Sequence, residues 1–193
     1  MPLQRNEFIP QNMLTVYTSP SGMTDPRTGL PYQAGGLKPG DYFDLTEAEA
    51  QAQSSALHEG RYRFVQVDST ATAANILQGT IGCMKTLGGG VNFITDFSNN
   101  IGSTTGLPRG VVFLAPLTAA QVAAGAYVFV QEAGDATLLA AAAVSVGQAL
   151  IVTTAGKVTP GTTVNLYVGA AIQAAAGSGS LFRTILDLPI VQG

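Results

Sequence analysis

The residues that could carry chemistry are few. His58 is the only histidine and Cys83 the only cysteine. A Ser-His-carboxylate arrangement needs an imidazole as its base, so it would have to use His58. His58 falls at the end of a segment that predicts as a helix, where a histidine meets the last unpaired carbonyls, and that structural role is the expected one. No Gly-x-Ser-x-Gly elbow accompanies it, since Ala176-Gly177-Ser178-Gly179-Ser180 has a different spacing. A catalytic thiol wants a basic neighbour or a helix N-terminus to lower its pKa. Cys83 has Lys85 two residues on, which would share its strand face, but a buried, inert thiol is the expectation. One cysteine excludes an intrachain disulfide and a Cys-based zinc site, and one histidine removes His-rich metal sites.

Asp41, Asp44, Glu47 and Glu49 form the densest acidic cluster. Paired carboxylates can hydrolyse glycosides or hold Ca²⁺. The same acids are what a helix start favours, and the spacing is not that of an EF-hand loop. Ala155-Gly156-Lys157-Val158-Thr159 contains Gly-Lys without the Ser or Thr that a phosphate-binding loop places next, and Ile151 stands where its leading glycine would be. Gly88-Gly89-Gly90 precedes a strand rather than a helix. We therefore expect no catalytic, cofactor-binding or metal-binding residues, no cofactor, and no enzymatic activity.

The elements that would position these residues are mostly strands. Thr46-Glu47-Ala48-Glu49 fits a capping box and predicts a short Ala-rich helix near 47–58, which Gly60 can end. Arg61 to Asp68 alternates polar and apolar residues, as a strand with one wet face does. Further strands are predicted at 78–87, 91–97, 110–114, 127–131, 136–144, 148–153, 157–158, 164–176 and 180–188. The 110–114 strand is apolar enough to be buried on both faces. Thr118-Ala119-Ala120-Gln121 reads as a short capped turn, and Thr154-Ala155-Gly156 as a hairpin turn. The rhythm is that of an all-β antiparallel sandwich or barrel, jelly-roll or β-tulip-like, with one short helix.

Residues 1–37 have a different texture. Pro2, Pro10, Pro20, Pro26 and Pro31 break any helical period, yet the apolar content is too high for a solvated linker. The segment is read as an extended N-terminal arm, followed by a β-rich domain at 38–193. Fully extended, such an arm could reach on the order of 100 Å at about 3.3 Å per residue. It gains its order either on another surface or folded back on its own domain. Phe8, Ile9, Met13, Leu14 and Tyr17 are its candidate partner-binding side chains.

Bulk composition narrows the classes further. The 193 residues are 46% hydrophobic and only 11% charged, against about 25% charged in ordinary globular chains. Twenty-three glycines, ten prolines and no tryptophan complete the picture. Such a chain is not disordered as a whole. Its sparse charge suggests a surface that other protein covers. The net charge of −3, with basic residues scattered from Arg5 to Arg183, argues against nucleic-acid binding. The longest apolar run, Leu138 to Val144, falls far short of the roughly 20 residues a membrane span needs. No signal peptide is visible, so the chain is expected to start near Met1 and to be made and retained in a cytoplasm.

From Gly60 onward the order of segments is familiar. Phe64-Val65-Gln66-Val67-Asp68 is followed by Gly110-Val111-Val112 and by Gly125-Ala126-Tyr127-Val128-Phe129-Val130-Gln131-Glu132-Ala133-Gly134. Then come Val146-Gly147-Gln148-Ala149-Leu150, Thr154-Ala155-Gly156-Lys157-Val158, Val168 to Ala176, and Leu181-Phe182-Arg183-Thr184-Ile185-Leu186. This pattern of Gly-punctuated strands resembles the head decoration, or cement, proteins of tailed bacteriophages, over roughly residues 60–193. The arm and the helix are not part of it. The resemblance implies a structural virion protein on the outside of an icosahedral capsid, made in the host cytoplasm. It implies the major capsid protein and further copies of itself, as a homodimer or homotrimer, as partners. The alternatives are another virion β-protein, such as a tail-tube, fibre or carbohydrate-binding adhesin module, and a hydrolase using the carboxylates of Asp41–Glu49.

Overall fold

The computed structural model describes residues 13–17, 39–87, 91–96, 109–162 and 167–187. Among these, ten strands and two short helices follow one another. They are β1 (Tyr42–Leu45), α1 (Glu47–Gln53), β2 (Gly60–Val67), β3 (Ile81–Leu87), β4 (Val91–Asp96), β5 (Arg109–Phe113), α2 (Ala119–Ala123), β6 (Tyr127–Leu139), β7 (Ala149–Val152), β8 (Val158–Pro160), β9 (Tyr167–Ala171) and β10 (Leu181–Leu186). The all-β class expected from the sequence is the class found. The strands pair in the order β1-β2-β4-β3-β5-β6-β10-β9-β7-β8, and β2 also pairs with β6. The pairings from β2 through β4, β3, β5 and β6 thus lead back to β2, while β1 and β8 leave open edges. All pairs are antiparallel except β2–β4.

Side-chain alternation splits the interior into three cores. On one face of β2 and β6, Tyr62, Phe64 and Phe129 pack with Leu45, Ala50 and Leu57 from β1, α1 and the loop that follows. The opposite face gives Val65, Val67, Val128 and Val130, packed with Val111 and Phe113 of β5 and sealed by Ile76, Leu117 and Val122. The third core joins Ile81, Cys83 and Val112 to Leu138 of β6 and to Leu150, Val168 and Phe182 of the distal strands. Full burial of each large apolar side chain contributes about 1.5–3 kcal/mol.

The helix starts follow the sequence closely. Thr46 Oγ1 accepts from Glu49 N–H, and Glu49 Oε2 accepts from Thr46 N–H at 2.8 Å. Thr118 and Gln121 repeat the device, and the capped turn expected there forms a five-residue helix, α2, a second short helix among the described residues beside the one expected. The first helix also ends at Gln53, not near residue 58. Ser54 is extended and takes up the role of C-cap, donating its N–H to Ala50 C=O.

The strands expected at 127–131 and 136–144 are one strand, β6. Gly134, at φ 94°, bends it without ending it, and the β2–β6 register shifts between Arg61 and Tyr62, leaving Glu132 as the extra residue of a bulge. Gly110–Leu114 is buried throughout, as its apolar run predicts. Thr153–Lys157 turns β7 into β8, with Gly156 at φ 76°.

Of the arm, Met13–Tyr17 lies against the chain's own domain. Met13 is buried, with its N–H donating to Gln53 Oε1. Tyr17 exchanges both backbone hydrogen bonds with Tyr127 and sets its ring edge-on to Phe64, 6.2 Å away. Gly40 N–H then donates to Phe64 C=O, so the chain rejoins the domain beside the place where Tyr17 leaves it. The boundary placed between residues 37 and 38 falls outside the described residues.

Candidate functional site

The one cluster that gathers the histidine, two carboxylates and a guanidinium lies where α1, β2, β6 and β10 meet. The capping box fixes the first turn of α1, which aims Glu47 across at the loop before β2. Glu47 Oε1 lies 3.1 Å from His58 Nδ1, and Glu47 Oε2 accepts from Glu59 N–H at 2.7 Å. Gln51 Nε2 approaches the same ring nitrogen at 3.3 Å and donates to Leu57 C=O at 2.6 Å. Glu59 C=O in turn accepts from Asp135 N–H, on the bulged part of β6. The Asp135 carboxylate is held by the guanidinium of Arg183 on β10.

The electrostatics of this cluster are those of a tie. The hydrogen bond from His58, helped by that from Glu59 N–H, holds the Glu47 carboxyl below the usual glutamate range. The Arg183 guanidinium is raised above its ordinary value by its bond to Asp135. The Tyr62 hydroxyl donates to His58 C=O, and burial pushes that phenol up. A general base must reach the proton it removes. The ring of His58 meets Glu47 and Gln51, neither of which offers a hydroxyl or thiol for it to deprotonate, and is itself buried.

The structure therefore corrects the role expected of His58. It lies five residues beyond the end of α1, and it bonds the first turn of that helix rather than its last carbonyls. The acidic cluster comes apart in the same way. Asp44 forks onto Arg61 at 2.8 and 3.2 Å, Glu47 takes His58, and Glu49 serves the capping box. Cys83 is buried in β3 within the third core, as expected. Among the described residues no group of three or more His, Cys, Asp or Glu is arranged to hold a metal. A cavity lined by Leu57, Phe113, Gln131 and Thr137 has room for about 10 Å³, at most one water.

Of the arm residues, Met13, Leu14 and Tyr17 pack on the β2–β6 core of their own chain. Phe8 and Ile9 lie outside the described residues. Two features were not anticipated. The first is a buried ion pair across β2 and β6, Arg63 Nε to Glu132 Oε1 at 2.6 Å, with Arg63 also donating to Gly40 C=O. The second is a set of exposed apolar side chains on or beside the distal strands, Val146, Ile172, Leu181 and Ile185. Its signal in the sequence is the stretch from Ala136 to Phe182, 47 residues in which Lys157 is the only charge.

No family model and no curated protein matches this chain. Among solved structures it is similar to the head fiber gp8.5 N base of bacteriophage phi29. The identity is 14% and the TM-score 0.46, over 65% of this chain and 92% of that one.

Proposed function

We propose that this chain is a structural virion protein that binds the outside of an icosahedral capsid and stabilises it. The observation that carries the reading is the fate of the polar side chains that could have done chemistry. Asp44, Glu47, Glu49 and His58 are each held in a structural tie within the chain. What such a framework offers is surface. The resemblance of its Gly-punctuated segments to those of head decoration proteins supports the same reading, as does the shortage of charge. Binding strength in this role comes from many copies acting together.

The arm fits this role in two pieces. Met13 and Tyr17 fasten the chain to α1 and β6, and Phe8 and Ile9 precede that anchor in the sequence. We assign those two side chains to contact with the capsid. The test is binding of purified protein to capsids that lack it. Saturable occupancy at one site per lattice position, weakened in a Phe8→Ala/Ile9→Ala variant, supports the reading. Absence of saturable binding overturns it.

A second reading, a tail-tube, fibre or carbohydrate-binding module, is favoured by one feature. Tyr42 is 57% exposed on edge strand β1, with the Arg61 guanidinium 4.9 Å from its ring centroid and Asp44 beside it. An exposed tyrosine with charged hydrogen-bonding groups against its ring suits contact with a sugar's hydroxyls. Copy number per particle separates the two: hundreds of copies fit the capsid role, a handful the fibre role.

A further inference from the structure

We propose that Glu47 and His58 form a latch that outlasts titration of the histidine: the ring keeps one proton on Nδ1 for Glu47, and the proton it gains or loses with pH sits on Nε2. The inference goes beyond the capsid reading and stands without it. Two groups meet Nδ1, and they ask opposite things of it. Glu47 Oε1, 3.1 Å away, can only accept while ionised, so it needs a proton on Nδ1. Gln51 Nε2, 3.3 Å away, can only donate, so it needs a bare nitrogen. One nitrogen cannot serve both at once.

The surroundings decide between them. The Gln51 amide is held the way round it is by Leu57 C=O, 2.6 Å from its nitrogen, since an amide oxygen there would face another oxygen. That bond also gives the amide nitrogen an acceptor of its own, so Gln51 loses little by leaving Nδ1 alone. Glu47 is more constrained. Its other oxygen accepts from Glu59 N–H at 2.7 Å, which aims Oε1 at the ring. A bare Nδ1 would set its lone pair against the carboxylate. A protonated one makes a charge-assisted bond, about twice as strong as a bond between neutral groups.

The charges around the pair favour keeping this bond when the ring is charged. Glu47 comes from α1, Tyr62 from β2, Asp135 from β6 and Arg183 from β10. Glu59, the next residue in the loop, is exposed. Asp135 and Arg183 are paired with each other. The Tyr62 phenol stays protonated and bonds the backbone N–H and C=O of His58. What remains facing the ring is the Glu47 carboxylate. Proton uptake at Nε2 therefore turns a hydrogen bond into an ion pair between the same two atoms. The first turn of α1 stays tied to the loop before β2 until Glu47 itself takes a proton.

The test is nuclear magnetic resonance of the full chain with ¹⁵N-labelled histidine, where a single histidine gives a single pair of ring nitrogens. The expected result for the neutral ring, at alkaline pH, is Nδ1–H over Nε2–H by at least about tenfold. On acidification Nε2 should carry the large change in nitrogen shift, with the Nδ1 proton retained. Glu47→Ala should move the proton to Nε2, where Gln51 can bond Nδ1, and Gln51→Ala should leave Nδ1–H dominant. Circular dichroism checks that each variant is folded. Should Glu47→Ala fail to fold, Glu47→Gln removes the charge alone and should lower the same ratio. The wild-type spectrum decides without any variant: Nε2–H as the main neutral form, or titration at Nδ1, overturns the proposal. So does an unchanged ratio in the Glu47 variants, or loss of Nδ1–H in folded Gln51→Ala.

Discussion

Arg63 and Glu132 are bound to each other twice, Nε to Oε1 at 2.6 Å and a terminal guanidinium nitrogen to Oε2 at 3.1 Å. They do so because the β2–β6 register shifts there: Glu132 is the extra residue of the bulge and swings to meet Arg63, which itself faces Val130. The carboxylate is 1% exposed and the guanidinium side chain 15%. Arg63 also donates from Nη1 to Gly40 C=O, so the pair fastens the point where the chain enters the domain.

Removing one partner leaves the other charged and buried. Glu132→Gln should lower stability by about 3–5 kcal/mol. At about 2–4 °C per kcal/mol for a chain of this size, calorimetry would read a large drop in melting temperature. Arg63→Lys keeps the charge but loses the fork, and should show a smaller loss of the same sign.

A buried hydroxyl points to a stabilising change. Thr184 is fully buried in the third core, and its Oγ1 has no hydrogen-bond partner. Thr184→Val keeps the branched shape and removes the desolvated oxygen. A gain of about 1 kcal/mol is expected, read as a higher urea midpoint with an unchanged slope.

The sequence shows its short-range devices plainly and its long-range ones hardly at all. The Thr46–Glu49 box and the Thr154-Ala155-Gly156 turn are where the residues put them, because each depends on neighbours a few positions apart; the strand expected from Arg61 to Asp68 forms too, but its expected wet face is covered, since Val65 and Val67 enter the second core. Gly134-Asp135 looks like a strand opening and proves to be a bend inside β6, since a glycine at positive φ serves a bulge as readily as a turn. His58 lies beyond α1 and not at its end, because the helix is ended by Ser54, an extended residue with no glycine to announce it. The parallel β2–β4 pair and the bond of Tyr17 to Tyr127 join segments far apart in the chain, and no local pattern records them.

Acid should weaken the tie at Glu47. Its folded pKa is depressed, so its contribution is present above the unfolded value and fades as pH falls through the lower folded one. Melting temperatures of the wild type and Glu47→Ala, followed from neutral to strongly acid pH, should differ at neutrality. They should converge below the ordinary glutamate range. The carboxylate is nearly half exposed, so the difference should be small and shrink further with added salt. A gap that persists in strong acid would deny the tie its electrostatic character.

Two glycines should respond very differently to alanine. A Cβ on Gly134 would lie 2.4 Å from Glu59 C=O and 2.6 Å from Gly60 Cα, at φ 94°. A Cβ on Gly147, at φ 83°, would meet nothing within 4 Å. Gly147→Ala should therefore lose only about 1–2 kcal/mol, the left-handed backbone penalty. Gly134→Ala adds a backbone clash to that penalty and should melt far lower or fail to fold.

Met13 tests the anchor. It is 1% exposed beneath α1 and the aromatic cluster of Phe64, Phe129 and Tyr17. Met13→Ala should remove about 2–5 kcal/mol. A melting temperature equal to wild type would mean that the anchor contributes nothing to the domain.

β6 lends side chains to all three cores: Phe129 to the first, Val128 and Val130 to the second, and Ala136 and Leu138 to the third. It is also hydrogen-bonded to β2, β5 and β10. A strain that opens one core must peel a strand whose other face or other half is still gripped. The lobes have no means of coming apart separately, so failure under load is all-or-none. In the capsid role proposed above, a damaged copy would then be lost whole instead of lingering as a frayed edge.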